Sequence, residues 1–253
     1  MTSSGATSAG TAPAEWREHG GDPYLELRGV GHRYGTGARA VEALADVSLA
    51  VRRGEFVAVM GPSGSGKSTL IHVAAGLVRP TAGQVLVGGH VVGSGDRGAW
   101  ARVRRTCLGV VFQRLNLVPT LTARENVMVP LILDGRSRRD AELAAGAALE
   151  AAGLDVGDSR YPAGMSGGEQ QRVAIARALV GGRAGLLADE PTGAVDTVTA
   201  DRIVSLLVER ARGGAAVVMV THDSRLAAWA DRVVHLRDGR IREPERPSEV
   251  PHG

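Results

Sequence analysis

The chain has 253 residues, 43% of them hydrophobic, which is enough for one domain of ordinary or large size with a full core. Its 30 Lys and Arg against 27 Asp and Glu leave a net charge of only +3, spread along the chain, so charge gives little support for a nucleic-acid binder. Cys107 is the single cysteine, which excludes an internal disulfide and suits a reducing compartment. No apolar run approaches the roughly 18 residues of a membrane span, and the longest candidate, residues 127–133, is interrupted by Pro130. With no basic-then-apolar leader, we expect a soluble, cytoplasmic chain that is free to dock on a membrane partner. Aromatics are only 3%, so Val, Leu, Ala and Ile must fill the core.

In chain order, residues 1–22 are rich in Ser, Thr, Gly and Ala without apolar period, and we expect a disordered tail. Residues 24–30 alternate apolar and polar, residues 35–39 read as a loop, and residues 47–51 alternate again. Residues 57–60 form a short apolar run suited to a buried strand, and residues 70–78 can continue as a helix. Residues 84–92 look like a hairpin around Gly88-Gly89, so an antiparallel sheet is expected beside this region. A short basic helix over 99–105 and a strand over 108–112 follow. Thr122 with Glu125, Ser137 with Asp140, and Ser166 with Glu169 read as helix starts, so residues 115–180 form a helical insertion. Beyond it we expect a strand over 185–188, an amphipathic helix over 197–212, a strand over 215–220 and a hairpin over 231–241 turning at Asp238-Gly239. The folded unit is therefore 23–242, and the proline-rich residues 243–253 are a loose tail.

Between the strand at 57–60 and the helix from 70 lies Gly61-Pro62-Ser63-Gly64-Ser65-Gly66-Lys67-Ser68-Thr69, a G-x-x-x-x-G-K-[ST] phosphate loop in the strand–loop–helix context that it needs. Its glycines let backbone N–H groups turn inward around a phosphate, and the helix N-terminus adds unpaired donors. Lys67 supplies a mobile charge for β- and γ-phosphates, and the Ser68 hydroxyl can ligate Mg²⁺. Lys67 is the only lysine in the chain. A compact ammonium is wanted where the planar fork of arginine would not fit.

Asp189 ends an apolar run and precedes Glu190. A carboxylate there can hold Mg²⁺ directly or through water, and its neighbour can polarise an attacking water. Ser166-Gly167-Gly168-Glu169, continued by Gln170-Gln171-Arg172, offers a Ser N-cap and two glycines at a helix start, a second surface of backbone donors for an anion.

At this stretch the chain resembles the ATPase subunit of ATP-binding-cassette transporters, whose signature sequence it matches, and the likeness spans roughly residues 24–242. The resemblance implies an α/β fold. Its parts are a P-loop NTPase core (a RecA-like parallel sheet with flanking helices), an antiparallel β subdomain and the inserted α-helical subdomain. It implies ATP and Mg²⁺ as cofactors and hydrolysis of ATP to ADP and phosphate. It also implies a homodimer in which Ser166, Gly167, Gly168 and Glu169 of one copy face the γ-phosphate held by the other. By the same resemblance Tyr34 stacks on adenine, Gln113 senses Mg²⁺ and water, Asp196 lies in a loop crossing the dimer interface, and His222 contacts the γ-phosphate. The set expected at the chemistry is thus Lys67, Gln113, Glu190 and His222, with Ser68, Gln113 and Asp189 at the metal. Departures include Met165 where leucine is common, Glu169 where glutamine often stands, Val195 for a frequent leucine, Gly164 for a polar residue, and no proline in 181–184; none removes a catalytic group.

Residues 111–122 and 188–193 are similar to the group of macrolide and antimicrobial-peptide exporters and lipoprotein-release ATPases. This implies a separately encoded integral-membrane permease, a place on the inner face of the membrane, and no nucleic-acid partner. The rival is a soluble cassette ATPase acting on nucleic acid, ribosomes or cluster assembly. Its repair members would need a zinc or long coiled-coil insertion, and the ribosome-acting ones usually carry two cassettes.

Overall fold

The computed structural model describes residues 22–92, 97–155, 159–193 and 195–242. The two expected tails, but for Asp22, and Ala194 lie outside them. The chain opens with β1 (Leu25–Tyr34) and β2 (Val41–Val51), then β3 (Phe56–Met60), the phosphate loop and α1 (Lys67–Ala74). β4 (Ala82–Val87) and β5 (His90–Val91) form the hairpin, followed by α2 (Arg97–Thr106) and β6 (Leu108–Val111). Three helices intervene: α3 (Ala123–Leu133), α4 (Arg138–Ala151) and α5 (Gly167–Leu179). β7 (Gly185–Asp189), α6 (Thr197–Arg212), β8 (Ala216–Val220), α7 (Ser224–Ala227), β9 (Arg232–Arg237) and β10 (Arg240–Arg242) complete it.

These strands make two sheets. One is antiparallel, in the order β2-β1-β4-β5. The other runs β10-β9-β3-β8-β7-β6, with β9, β3, β8, β7 and β6 mutually parallel and only β10 reversed. Every residue of β7 and of β8 is buried, which fits strands covered on both faces by other layers. α1 lies with the antiparallel sheet on one side, in a core that includes Leu27, Leu44, Val59, Ile71 and Val218. α6 covers the other side through Ile203, Val204 and Leu207 against Val217 and Met219. A third core, with Val127, Leu131, Leu149 and Val173, unites α3, α4 and α5.

Parallel strands share one direction, so their C-terminal ends lie at one edge of the sheet. The loops after β3, β6, β7 and β8 therefore emerge side by side, which is where open α/β sheets hold their ligands. This brings the phosphate loop, Gln113, Glu190 and His222 together from sequence positions far apart.

Several elements differ from the reading of the sequence, each for a local reason. β1 runs on past residue 30 to Tyr34, and β2 starts at Val41 rather than 47. Gly29 (φ 56°) and Asp46 (φ 55°) are left-handed, and the β1–β2 register shifts between Leu27 and Val30, between Val30 and His32, and between His32 and Arg33. Each irregularity resets the period of two and hides the strand from an alternation search. Pro130 sits inside α3, which continues to Leu133. The hairpin β9–β10 turns at Asp238 (φ 49°) and Gly239 (φ 71°), the pair of positive φ values that a tight two-residue hairpin turn requires. Its first strand also joins the parallel sheet beside β3, a pairing that the local pattern does not reveal.

Candidate functional site

The phosphate loop is shaped by close approaches that only glycine permits. A Cβ on Gly61 would meet the Leu236 carbonyl oxygen at 2.1 Å, so the loop's first residue lies hard against β9. Gly66 has φ 102°, and a Cβ there would meet the Ala43 carbonyl oxygen at 2.3 Å. That carbonyl belongs to the β2 residue skipped by the register shift between His32–Leu44 and Arg33–Glu42, so the antiparallel sheet presses its bulge onto the loop. Gly64, with φ 80°, faces open space. Gly239 N–H donates to the Ser65 carbonyl at 3.0 Å, while the buried Ser65 hydroxyl has no partner among the described residues.

α1 begins at Lys67 with Gly66 as its N-cap and no side chain capping it. Its first N–H groups are thus left for an anion. Lys67 Nζ donates to the carbonyls of Gly61 and Pro62, at 2.8 Å each, which folds the ammonium over the loop. An ammonium has three donors, so the cation retains capacity for a phosphate. Ser68 Oγ donates to Asp189 Oδ1 at 3.2 Å. Asp189 is 1% exposed, and burial pushes its carboxyl above the ordinary range, an effect opposed by the Ser68 hydrogen bond. A buried carboxylate beside a hydroxyl gains by meeting a cation, and magnesium is held by one or two carboxylates and substrate oxygens rather than by an all-protein cage. No group of three or more His, Cys, Asp or Glu is gathered for a metal among the described residues. The donor set accordingly fits Mg²⁺ arriving with a phosphate ligand.

Glu190 follows Asp189 with φ 48°, a strained conformation for a glutamate, and its N–H donates to the Val220 carbonyl at 3.0 Å. The backbone turn lifts its carboxylate toward the strand-end loop of β8. His222 Nδ1 lies 2.9 and 3.0 Å from the two Glu190 oxygens. A carboxylate only accepts, so the imidazole donates from Nδ1. The hydrogen bond that His222 donates to Glu190, then the charge of that carboxylate, raises the His222 pKa, although the histidine side chain is 75% exposed and the glutamate 14%.

A pocket of about 650 Å³ gathers Ser63, Gly64, Gly66, Lys67, Ser68 and Thr69 with Gln113, Glu190 and His222. Gly61, Pro62 and Ser65 of the same loop do not line the pocket. Val41, Glu42 and Ala43 of β2 form a further wall, which the sequence reading missed because the bulge breaks their strand pattern. Gln171 on α5 also reaches the pocket, and its Nε2 donates to the Pro191 carbonyl at 2.7 Å, tying the helix to the chain just beyond Glu190. Its place in the Ser-Gly-Gly-Glu-Gln-Gln run was the available signal. Tyr34 lies off the pocket lining, but its hydroxyl is 3.4 Å from Thr69 Oγ1.

The Ser166 helix start is elsewhere. Ser166, Gly167, Gly168 and Glu169 do not line the pocket. Ser166 Oγ accepts from Glu169 N–H at 3.2 Å, and Glu169 Oε2 accepts from Ser166 N–H at 2.8 Å, a reciprocal capping box. Arg160 donates to Glu169 at 2.8 Å, and with the Ser166 bonds it lowers that carboxyl to about 2. Asp196 is likewise outside the pocket. It caps α6 by accepting from Thr199 N–H at 3.0 Å and Thr199 Oγ1 at 2.7 Å, which lowers its pKa.

A phosphate loop, a buried strand-end carboxylate and a polarised glutamate at one end of a parallel sheet define the class: a P-loop nucleotide-binding ATPase cassette. The family model described as ABC transporter matches residues 44–193. The Macrolide export ATP-binding/permease protein MacB of Marinobacter nauticus is 42% identical over 229 residues, covering 90% of this chain and 35% of that protein. Its Escherichia coli K12 counterpart is 43% identical over 219 residues, covering 87% and 34%. The chain thus spans about a third of the length of the curated relatives it matches. Among solved structures, a dimeric post-hydrolysis state of the ATP-binding cassette MJ0796 bound to ADP and Pi superposes with a TM-score of 0.82 at 38% identity, covering 89% of this chain and all of that one. The cassette cbiO1 of Clostridium perfringens gives 0.76 at 26% identity, covering 88% of each. This chain belongs to the ABC transporter family. The family and the ADP- and Pi-bound neighbour point to ATP with Mg²⁺ as the substrate class of this cassette.

Proposed function

We propose that the chain is the ATP-hydrolysing unit of an export-type transporter, closing as a homodimer on nucleotide. In this reading it drives an integral-membrane permease, a separate chain, from the inner face of the membrane. The observation that carries the reading is the incompleteness of the pocket. Lys67, Ser68, Glu190, Gln113 and His222 line one pocket, with the buried Asp189 off its lining and joined to it through Ser68, whereas the Ser166 surface lies outside that pocket. A second copy supplies it.

Each residue then has a role that its surroundings support. Lys67 and the N–H groups of the loop bind the β- and γ-phosphates. Ser68, Asp189 and Gln113 hold the metal, which when bound supplies positive charge against the phosphate oxygens. Glu190, aimed by its strained backbone, accepts the proton of the attacking water. His222, held by Glu190, donates toward the terminal phosphate. Ser166, Gly167 and Gly168 add donors from the partner copy, their loop preorganised by the capping box. Asp196 lies where the copies meet, and Tyr34 receives the base. Gln113 carries the change of the site toward the permease. The contacts that select the transported substance lie in the permease, and the curated relatives are macrolide export proteins.

Ser166→Glu tests this. The introduced carboxylate should abolish ATP-dependent dimerisation, read by sedimentation, while one-copy MgADP binding is kept. Dimers formed as in the unsubstituted protein would overturn the reading. Co-purification from detergent extracts tests the permease, and recovery with RNA or DNA instead would count against it.

A further inference from the structure

Tyr34, the aromatic assigned to the nucleobase, is itself held by a residue that the reading above leaves idle. His32 and Tyr34 are two apart on β1. Their rings meet edge to face, with centroids 4.5 Å apart and planes inclined at 82°. Such a contact covers at most one face of the tyrosine ring, and Tyr34 remains 44% exposed. The far end of that ring is placed by its hydroxyl, 3.4 Å from Thr69 Oγ1 on the helix of the phosphate loop.

His32 is 7% exposed and anchored. Its Nδ1 lies 2.9 Å from the Arg79 carbonyl oxygen, which only accepts, so Nδ1 carries the proton. Its Nε2 is buried without a partner among the described residues. Leaving a buried ring nitrogen unpaired carries a free-energy cost that an apolar ring would avoid. Simple filling of space thus accounts poorly for a histidine here. The imidazole combines a backbone anchor on one side with a rigid ring against Tyr34 on the other.

We propose that His32 is a positioning residue for Tyr34, fixing the ring plane so that its open face is presented to the adenine base before nucleotide arrives. The proposal rests on the reading of Tyr34 as the base platform. The gain is preorganisation: an exposed tyrosine free to rotate would lose that freedom on stacking, whereas one held at its face or edge by His32 and at its hydroxyl by Thr69 has already lost it.

His32→Asn separates the two duties of the histidine, because the amide can still donate to the Arg79 carbonyl but brings no ring. MgADP and magnesium pyrophosphate, which share the phosphate contacts and differ in the base, are titrated separately by calorimetry. His32→Asn should weaken MgADP about two- to tenfold, the range of one aromatic contact, and leave pyrophosphate unchanged. Tyr34→Ala should weaken MgADP at least as much, and the double variant no more than Tyr34→Ala alone. Additive losses, a parallel loss of pyrophosphate, or unchanged MgADP affinity in His32→Asn while Tyr34→Ala is impaired would each overturn the proposal and leave the base platform standing. Unchanged affinity in Tyr34→Ala would remove the platform and the proposal together.

Discussion

The molecule presents two helix starts with glycines at their first turns, and they are built in opposite ways. At α1 the N-cap is Gly66, no side chain satisfies the first turn, and the neighbours of the loop are other protein segments packed against it. At α5 the N-cap Ser166 and Glu169 satisfy one another and Arg160 neutralises the carboxylate. The first start is costly to leave empty and lies half-buried at the pocket that also holds Gln113, Glu190 and His222. The second is stable alone and exposed. A helix start that already has its own caps adds donors to a ligand only when another surface brings that ligand to it. In the proposed function this contrast corresponds to capture of nucleotide by one copy and closure by two.

The largest expected effect breaks the first region. Lys67→Ala should lower turnover by about 10²–10³-fold, as loss of a charged donor to a developing charge does, with nucleotide affinity also reduced; unchanged steady-state kinetics would contradict the assignment. Next, Glu190→Gln should bind MgATP as before, hydrolyse it about 10²-fold or more slowly, and accumulate the closed dimer seen by sedimentation. Gly66→Ala tests the loop as a shape rather than a charge. A φ of 102° and a 2.3 Å approach to the Ala43 carbonyl should cost about 1–3 kcal/mol, read as a fall in the denaturant midpoint at constant m-value.

The smallest effect concerns pH. Glu190 raises the His222 pKa, so the paired imidazolium contributes fully below the ordinary histidine value of about 6.5. That contribution is lost as pH rises through the higher folded value. The effect is small because His222 is mostly exposed. His222→Gln should therefore narrow its stability gap from the parent as pH rises through that window, measured by thermal unfolding; a gap independent of pH would sever the Glu190–His222 link.

Local sequence was sufficient wherever the physics is local. The phosphate loop, the capping boxes at Thr122 and Ser166, the Ser137 cap and the Asp238-Gly239 turn are set by residues within a few positions of each other, so they are legible in a string. The strands with broken periods were not: the register shifts of β1 and β2 hid residues 31–34 and 41–46, and with them the pocket wall at Val41, Glu42 and Ala43. Nor could a string place β9 beside β3, orient Gln171 onto Pro191, or aim Glu190 at His222. Those depend on which strands are neighbours and which ends they share. Sheet order is a property of burial summed over the whole chain, because long-range pairing is stabilised only after the intervening segments have found their own cores.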